Sequence, residues 1–226
     1  QEVGRVLDAA RSDGGVVVPH WWASTDVASG RRPIPLSVER MADVREVSDG
    51  DLMTVVDAGI TLDALRDALE DRALFWAPSA YEDGTAPVTD VVATAPGNWT
   101  LRGNLIRRGV LGLEVVLADG ALLRAGSRTV KCVTGYDLKQ RFTGSRGCLG
   151  VIVGATLRLD AEENRGRLLE RFEREFEHLK DDTVIEACAG SEPLEDGSRI
   201  ILERLKREFD PDGVLAPVEI TFEREG

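Results

Sequence analysis

The stretch from Val130 to Leu159, VKCVTGYDLKQRFTGSRGCLGVIVGATLRL, limits the possible folds most severely. Gly135, Gly144, Gly147 and Gly150 lie so close together that the backbone must turn sharply or run flat against something. Ordering a glycine costs more conformational entropy than ordering any other residue, so such a cluster implies positive φ or close approach to a ligand. Between the glycines, Tyr136, Asp137, Leu138 and Phe142 read as a short amphipathic pair of helical turns. Leu149, Val151, Val153, Ala155, Leu157 and Leu159 then alternate as a strand, with Ile152 the one break in the pattern.

The same periodicities divide the rest of the chain. Val3, Val6, Leu7 and Ala10 recur at helical spacing, and Ser12-Asp13-Gly14-Gly15 ends that helix. Val16-Val17-Val18 is a short buried strand stopped by Pro19, and residues 25 to 35 read as a polar loop. Leu52 to Ala58 is a strand, Gly59 turns it, and Thr61 caps a helix with Leu62, Leu65 and Leu69 on its apolar face. Leu111, Leu113, Val115 and Leu117 form a strand that returns through an Asp119-Gly120 turn into Leu122 and Leu123. Past Leu159 a helix carries the stripe Leu168, Leu169, Phe172, Phe176 and Leu179, with Glu163–Arg167 and Glu170–Arg174 as pairs on its outer face. A final helix uses Ile200, Ile201, Leu202 and Leu205 and stops at Phe209-Asp210-Pro211-Asp212-Gly213. The expected class is α+β.

Charge and cysteine usage exclude several functions. A net charge of −12 leaves nothing basic enough to neutralise nucleic-acid phosphates, and it disfavours an anionic membrane surface. Cys132, Cys148 and Cys188 have no C-x-x-C spacing and read as reduced thiols; with only two histidines, no histidine-based metal cluster can form. No run of about eighteen apolar residues is present, so no membrane span is expected, and no signal-peptide pattern is read. A cytoplasmic location follows, with any membrane association peripheral and through partners.

The glycine stretch resembles the end of the flavin-binding domain of the vanillyl-alcohol-oxidase/PCMH superfamily. That pattern is roughly V-K-N-x-x-G-Y-D-L, then G-S-x-G-x-L-G-V-I, then a strand; Cys132 stands where it has Asn. Within the superfamily the sequence is most similar to the FAD-binding subunit of bacterial glycolate oxidase. VVDAGITLDALRDAL and LKREFDPDGVLAP resemble further segments, the second with Ala216 for an Asn. The resemblance implies a PCMH-type FAD-binding domain over residues 1–159, in two α+β subdomains of about 1–60 and 61–159. Residues 160–198 are then a short helical insert in place of the cap domain, which is missing, and 199–226 return to the FAD domain.

Two cofactor loops depart from the family. Where a glycine-rich loop cradles the FAD pyrophosphate, this chain has His20, Trp21, Trp22, Ala23 and Ser24. Where a T/S-x-G-G-x-x-A-T segment meets the flavin, it has Val88, Thr89, Asp90, Ala93 and Thr94, with both glycines replaced by Thr89 and Asp90. A carboxylate beside a diphosphate is repulsive unless a cation intervenes. Gly97 and Gly103 match later family glycines, and Gly147, Gly150, Val151 and Ile152 fall on the adenine side. The resemblance implies that amides of residues 20–25 and 88–94 face the pyrophosphate, and that Gly150 lies where cofactor and backbone meet.

Oxidising a 2-hydroxy acid requires a base, a cation for the carboxylate and a flavin. No base or nucleophile is identifiable. His20 falls at the phosphate loop, His178 on an outer helix face, and Ser145 lacks the strand and histidine of a nucleophile elbow. Arg102, Arg107, Arg108 and Lys131 are the cations that could meet an anion. The resemblance therefore implies an FAD-binding subunit of a glycolate/lactate-oxidase-like complex, serving electron transfer or an accessory role. Its partners would be a larger catalytic flavoprotein and an iron–sulfur subunit. The alternative is a cofactor-less interaction subunit that keeps the fold; a reductase of the cell-wall-precursor type is a third, weaker reading that needs the missing substrate domain.

Overall fold

A computed structural model describes residues 2–20, 30–95, 101–126, 138–175 and 196–216. The chain opens with α1 (Glu2–Ser12), whose Leu7 and Ala10 are buried, and Gly14 at φ 66° ends it. Next, β1 (Val16–Pro19) pairs in parallel with β2 (Pro33–Leu36). The β2 strand falls in a stretch that reads as loop, because Pro33 and Pro35 argue against a strand. The ladder shows why both are tolerated. Val16 donates to the Arg32 carbonyl and His20 to the Leu36 carbonyl, so even-numbered positions face β1. The proline nitrogens therefore point away, at an edge where no donor is needed.

The larger sheet has five antiparallel strands in the order β3 (Val44–Ser48), β4 (Met53–Asp57), β8 (Val151–Arg158), β6 (Val110–Val116), β7 (Leu122–Gly126). A sheet that joins residues 44–57 to residues 110–158 does not respect a division at residue 60; the break between sheets falls after Leu36. Between β4 and β6 run α2 (Leu62–Glu70), β5 (Leu74–Phe75), a 3-10 turn, α3 (Val88–Ala93) and α4 (Leu101–Gly109). Thr61 caps α2 by accepting from the Ala64 amide at 3.2 Å.

Central strand β8 explains the break at Ile152. Glu114 opposes Gly154 while Val115 opposes Ile152, so Val153 is an extra residue, a β-bulge that reverses the facing of the strand. Ile152, Ala155 and Leu157 consequently join the main core with Val56, Leu113, Val115 and the helices. Val153 instead joins a second cluster with Leu7, Val17, Val116 and Leu215, which fastens α1 and β1 to the sheet. Beyond the bulge that face is polar: Arg45 bonds Asp57 at 2.6 Å and Glu114 at 2.7 Å, directly over Gly154.

After β8, β9 (Asp160–Ala161) pairs with β5, and α6 (Arg165–Glu175) follows. Leu168 and Phe172 of α6 pack on Phe75, Ala77, Leu101 and Leu105, with Arg108 over the Phe172 ring at 5.5 Å. Its charges pair with neighbouring elements, Glu175 with Arg108 at 2.8 Å and Glu173 with Tyr81 at 3.1 Å. Phe176, Leu179 and His178 lie outside the described residues, as does Cys188.

Short α5 (Lys139–Phe142) precedes the glycine turn, and α7 (Asp196–Phe209) closes the chain. Phe209 packs against Phe142 with ring centroids 6.0 Å apart. Asp210 is buried, and it accepts from the amides of Val214 and Leu215 at 2.7 and 2.9 Å. Lys206 pairs with this carboxylate and donates to the carbonyls of Leu215 and Ala216. Thus held, Val214 accepts from the Val17 amide at 2.7 Å and extends the small parallel sheet. Among the described residues no helix is long and apolar enough to cross a membrane. Asp210→Ala is expected to destabilise the fold by roughly 3–5 kcal/mol, since it leaves Lys206 buried without its carboxylate and two amides without acceptors. Chemical denaturation measures this; a loss under about 1 kcal/mol would show that the clamp contributes little.

Candidate cofactor cleft

Where the small parallel sheet meets the start of β8, the two sheets leave a cleft open to solvent on one side. Val17, Val18 and Pro19 form one wall, with Leu36, Val38 and Leu215 beside them. The opposite wall is Gly147, Gly150, Val151 and Ile152, and α3 contributes Thr89, Asp90 and Ala93. His20 stands at the end of β1.

The glycine turn is built against α3. Gly144 (φ 79°) donates to the Val92 carbonyl and Arg146 (φ 52°) to the Ala93 carbonyl, both at 2.9 Å. Gly147 (φ 80°) approaches Pro19 so closely that a Cβ there would sit 2.9 Å from the ring. Left-handed φ and this contact both require glycine at 147. Gly150 behaves differently. A Cβ on it would collide with the Val115 side chain of β6, so its missing side chain serves sheet packing and not the cleft.

Of the residues singled out from sequence, the structure brings His20, Thr89, Asp90, Ala93, Gly147, Gly150, Val151 and Ile152 together in the cleft wall. Val88 is buried in the main core instead. Thr94 donates its hydroxyl to the Asp90 carbonyl at 2.7 Å, and Gly103 is buried within α4; none of these three lines the cleft. Trp21, Trp22, Ala23, Ser24 and Gly97 lie outside the described residues. Val17, Val18, Pro19, Leu36, Val38 and Leu215 line the cleft as well and were missed. Leu215 was reachable through the closing DPDGVLAP motif, whereas the prolines of β2 hid Leu36.

The amides of α3 are also a correction. Val88 donates to the Ile60 carbonyl at 2.9 Å, Thr89 to Ala58 at 2.7 Å, Asp90 to Pro87 at 3.0 Å, and Thr94 to Asp90 at 2.8 Å. The first two donors are consumed in docking α3 onto the turn after β4 and the other two inside the α3 segment itself, so these amides do not face a pyrophosphate. The His20 amide is likewise taken, by Leu36.

Charge in the cleft is mostly acidic. His20 Nε2 lies 3.3 Å from Glu39 Oε1 and 3.6 Å from Asp90 Oδ2. Of the candidate cations Lys131 lies outside the described residues, and the other three are engaged elsewhere: Arg102 pairs with Glu82, Arg108 with Glu175, and Arg107 donates to the carbonyls of Gln140 and Thr143. Burial beside Arg141 pushes the Arg107 guanidinium below its usual range. Ser145 is buried with an unpartnered hydroxyl. Among the described residues no His/Cys/Asp/Glu group is arranged to hold a metal ion.

An apolar slot with glycine on one wall fits a flat ring and its sugar, and the described residues fit the adenine-bearing part of FAD. A seat of this kind, between a small parallel sheet and an antiparallel one, is that of a PCMH-type flavin-binding domain. The family described as "FAD binding domain" matches residues 1–126. The chain belongs to the PCMH-type FAD-binding family, whose cofactor is FAD. It is 33% identical over 186 residues to the glycolate oxidase subunit GlcD of Bacillus subtilis, covering 76% of this chain and 38% of that protein. To the D-lactate dehydrogenase of Archaeoglobus fulgidus it is 35% identical over 164 residues, covering 70% and 36%. An alkyldihydroxyacetonephosphate synthase structure shares the fold at TM-score 0.56 and 20% identity, covering 71% and 30%. The chain thus spans little more than a third of the length of these curated relatives.

Two outcomes follow from the geometry. Gly150→Val is expected to lower thermal stability, by about 1–3 kcal/mol for overpacking against Val115; a melting temperature equal to wild type would refute this. Burial pushes the Cys148 thiol up to about 11, so at pH 8 only about one molecule in a thousand carries the thiolate. Peptide mapping after treatment with a thiol reagent should find Cys148 unlabelled in the folded protein and labelled in denaturant.

Proposed function

We propose that this chain is the FAD-binding part of a 2-hydroxy-acid oxidoreductase of the glycolate/lactate type, acting with a larger catalytic flavoprotein and an iron–sulfur subunit. The cleft carries this reading, because the family's glycine turn, the end of β1 and α3 converge on one slot. The printed activities of the relatives, glycolate oxidase and D-lactate dehydrogenase, supply the substrate class. When bound, FAD supplies the two-electron acceptor for such a reaction. The chain's own residues bind and orient: the walls around Val18 and Ile152 exclude water, and Gly147 lets the turn approach. None of the described arginines discussed above is free to clamp a substrate carboxylate, so that function falls to residues beyond those described or to a partner.

Among the described residues, the α6 stripe packs away from the cleft. Leu168 and Phe172 are spent on Phe75 and Leu105, away from the cleft walls. Support for a partner therefore comes from the relatives, of which GlcD is named as a subunit. A second reading, an interaction subunit without cofactor, is favoured by the consumed α3 amides and by Asp90.

The visible spectrum of the purified protein separates the two. A flavin absorption band, or its appearance after incubation with FAD and gel filtration, is expected; its absence in folded protein would leave the second reading. Purified alone, the chain is expected not to oxidise glycolate or D-lactate with an artificial electron acceptor. Robust turnover by the isolated chain would show the subunit assignment wrong.

A further inference from the structure

The two walls of the cleft come from distant parts of the chain, and the closing segment touches both. Phe209 packs on Phe142, and Phe142 opens the glycine turn by accepting from the Ser145 amide at 3.1 Å. Further along the same segment, Leu215 stands in the opposite wall, bridged in parallel to Val17. Residues 209–216 therefore join the walls, although within this segment only Leu215 lines the cleft.

Lys206 holds the end of this segment in shape. Its ammonium carries three N–H donors and meets three acceptors: the Asp210 carboxylate and the carbonyls of Leu215 and Ala216, the last two at 3.0 and 2.9 Å. Only 14% of the Lys206 side chain is exposed, and none of Asp210. Asp210 in turn uses both oxygens to accept from the amides of Val214 and Leu215. The beginning of the turn is fastened separately by Arg31, which donates to the carbonyls of Asp212 and Gly213 and to those of Gly14 and Gly15. Arg31 anchors residues 212–213; Lys206 anchors 215–216.

We propose that Lys206, which does not line the cleft, is a positioning residue for the cofactor. By binding the carbonyls of Leu215 and Ala216 and neutralising Asp210, it fixes the Leu215 side chain in the cleft wall, so cofactor affinity depends on a charge pair outside the cleft. This rests on the reading that the cleft seats FAD. The physical reason is the depth of the pair. Without the ammonium, the buried Asp210 carboxylate takes up a proton or turns towards water, and either change weakens its hold on the Val214 and Leu215 amides. A leucine free to leave the wall no longer keeps water from the apolar face of a ligand.

A double-mutant cycle on the Kd for FAD tests this, measured by flavin fluorescence in the full chain with circular dichroism confirming each fold. Leu215→Ala and Lys206→Met should each weaken FAD about tenfold. Because Lys206 acts through Leu215, the double variant should also be about tenfold weaker, whereas independent effects would multiply to about a hundredfold. A merely structural lysine would lower the melting temperature without this non-additivity in Kd. A loss near a hundredfold, or Lys206→Met binding FAD as wild type does, would overturn the proposal while leaving the cleft as the FAD seat. Should Lys206→Met fail to fold, hydrogen exchange of the wild type decides. FAD should slow the amides of Val214 and Leu215 as much as those of Val151 and Ile152 in the wall, and slowing confined to the wall would overturn the coupling. No FAD binding by folded wild type would overturn both the coupling and the reading beneath it.

Discussion

One extra residue in one strand sets the plan of this protein. Without Val153, β8 would present a single apolar face and a single solvated one, as half-covered antiparallel strands do. The bulge reverses its facing, so the beginning of the strand packs α1 and β1 through Val153 while the rest packs α2 and α3 through Ala155 and Leu157. The face left over is sealed by Arg45, Asp57 and Glu114 across Gly154, where any larger residue would meet those charges. Two subdomains thereby share one strand, and the cleft opens where that strand begins.

The second constraint acts from the far end of the chain. The Lys206–Asp210 pair is almost completely removed from water, and such pairs hold only when their remaining hydrogen-bonding capacity is used. Here it is used, by two amides and two carbonyls of residues 214–216. The result is a rigid turn that places Leu215 in the cleft wall and joins Val214 to β1. A helix formed some 190 residues after β1 therefore helps shape the seat that β1 begins.

The cleft combines a retained architecture with altered polarity. Its walls are apolar and glycine-edged, as a ring-binding slot requires, and the turn carrying Gly144 and Gly147 is tied to α3 by backbone bonds. Among the described residues its ionisable lining groups are His20 and Asp90, with Glu39 3.3 Å from the His20 ring, in a chain already rich in acid.

Local pattern alone determined much of this. The helices at 2–12, 62–70 and 196–209, the hairpin around Gly120, the long strand after Gly150 and the family to which the chain belongs are all legible in periodicity, caps and glycine spacing, because each depends on residues close in sequence. Even the bulge left a trace, as the apolar Ile152 that spoils an alternation. What tertiary structure alone decided is which backbone groups are already spent and which way each side chain faces. Pro33 and Pro35 conceal a strand that only its neighbour's register permits. Gly150 lines the cleft, and only the folded sheet shows that Val115 also excludes a side chain there. The amides of Val88 and Thr89 read as phosphate donors until Ile60 and Ala58 are found accepting from them. Each of those partners lies from about sixteen to thirty-five residues away in the chain, and only folding brings it within a hydrogen bond or a van der Waals contact.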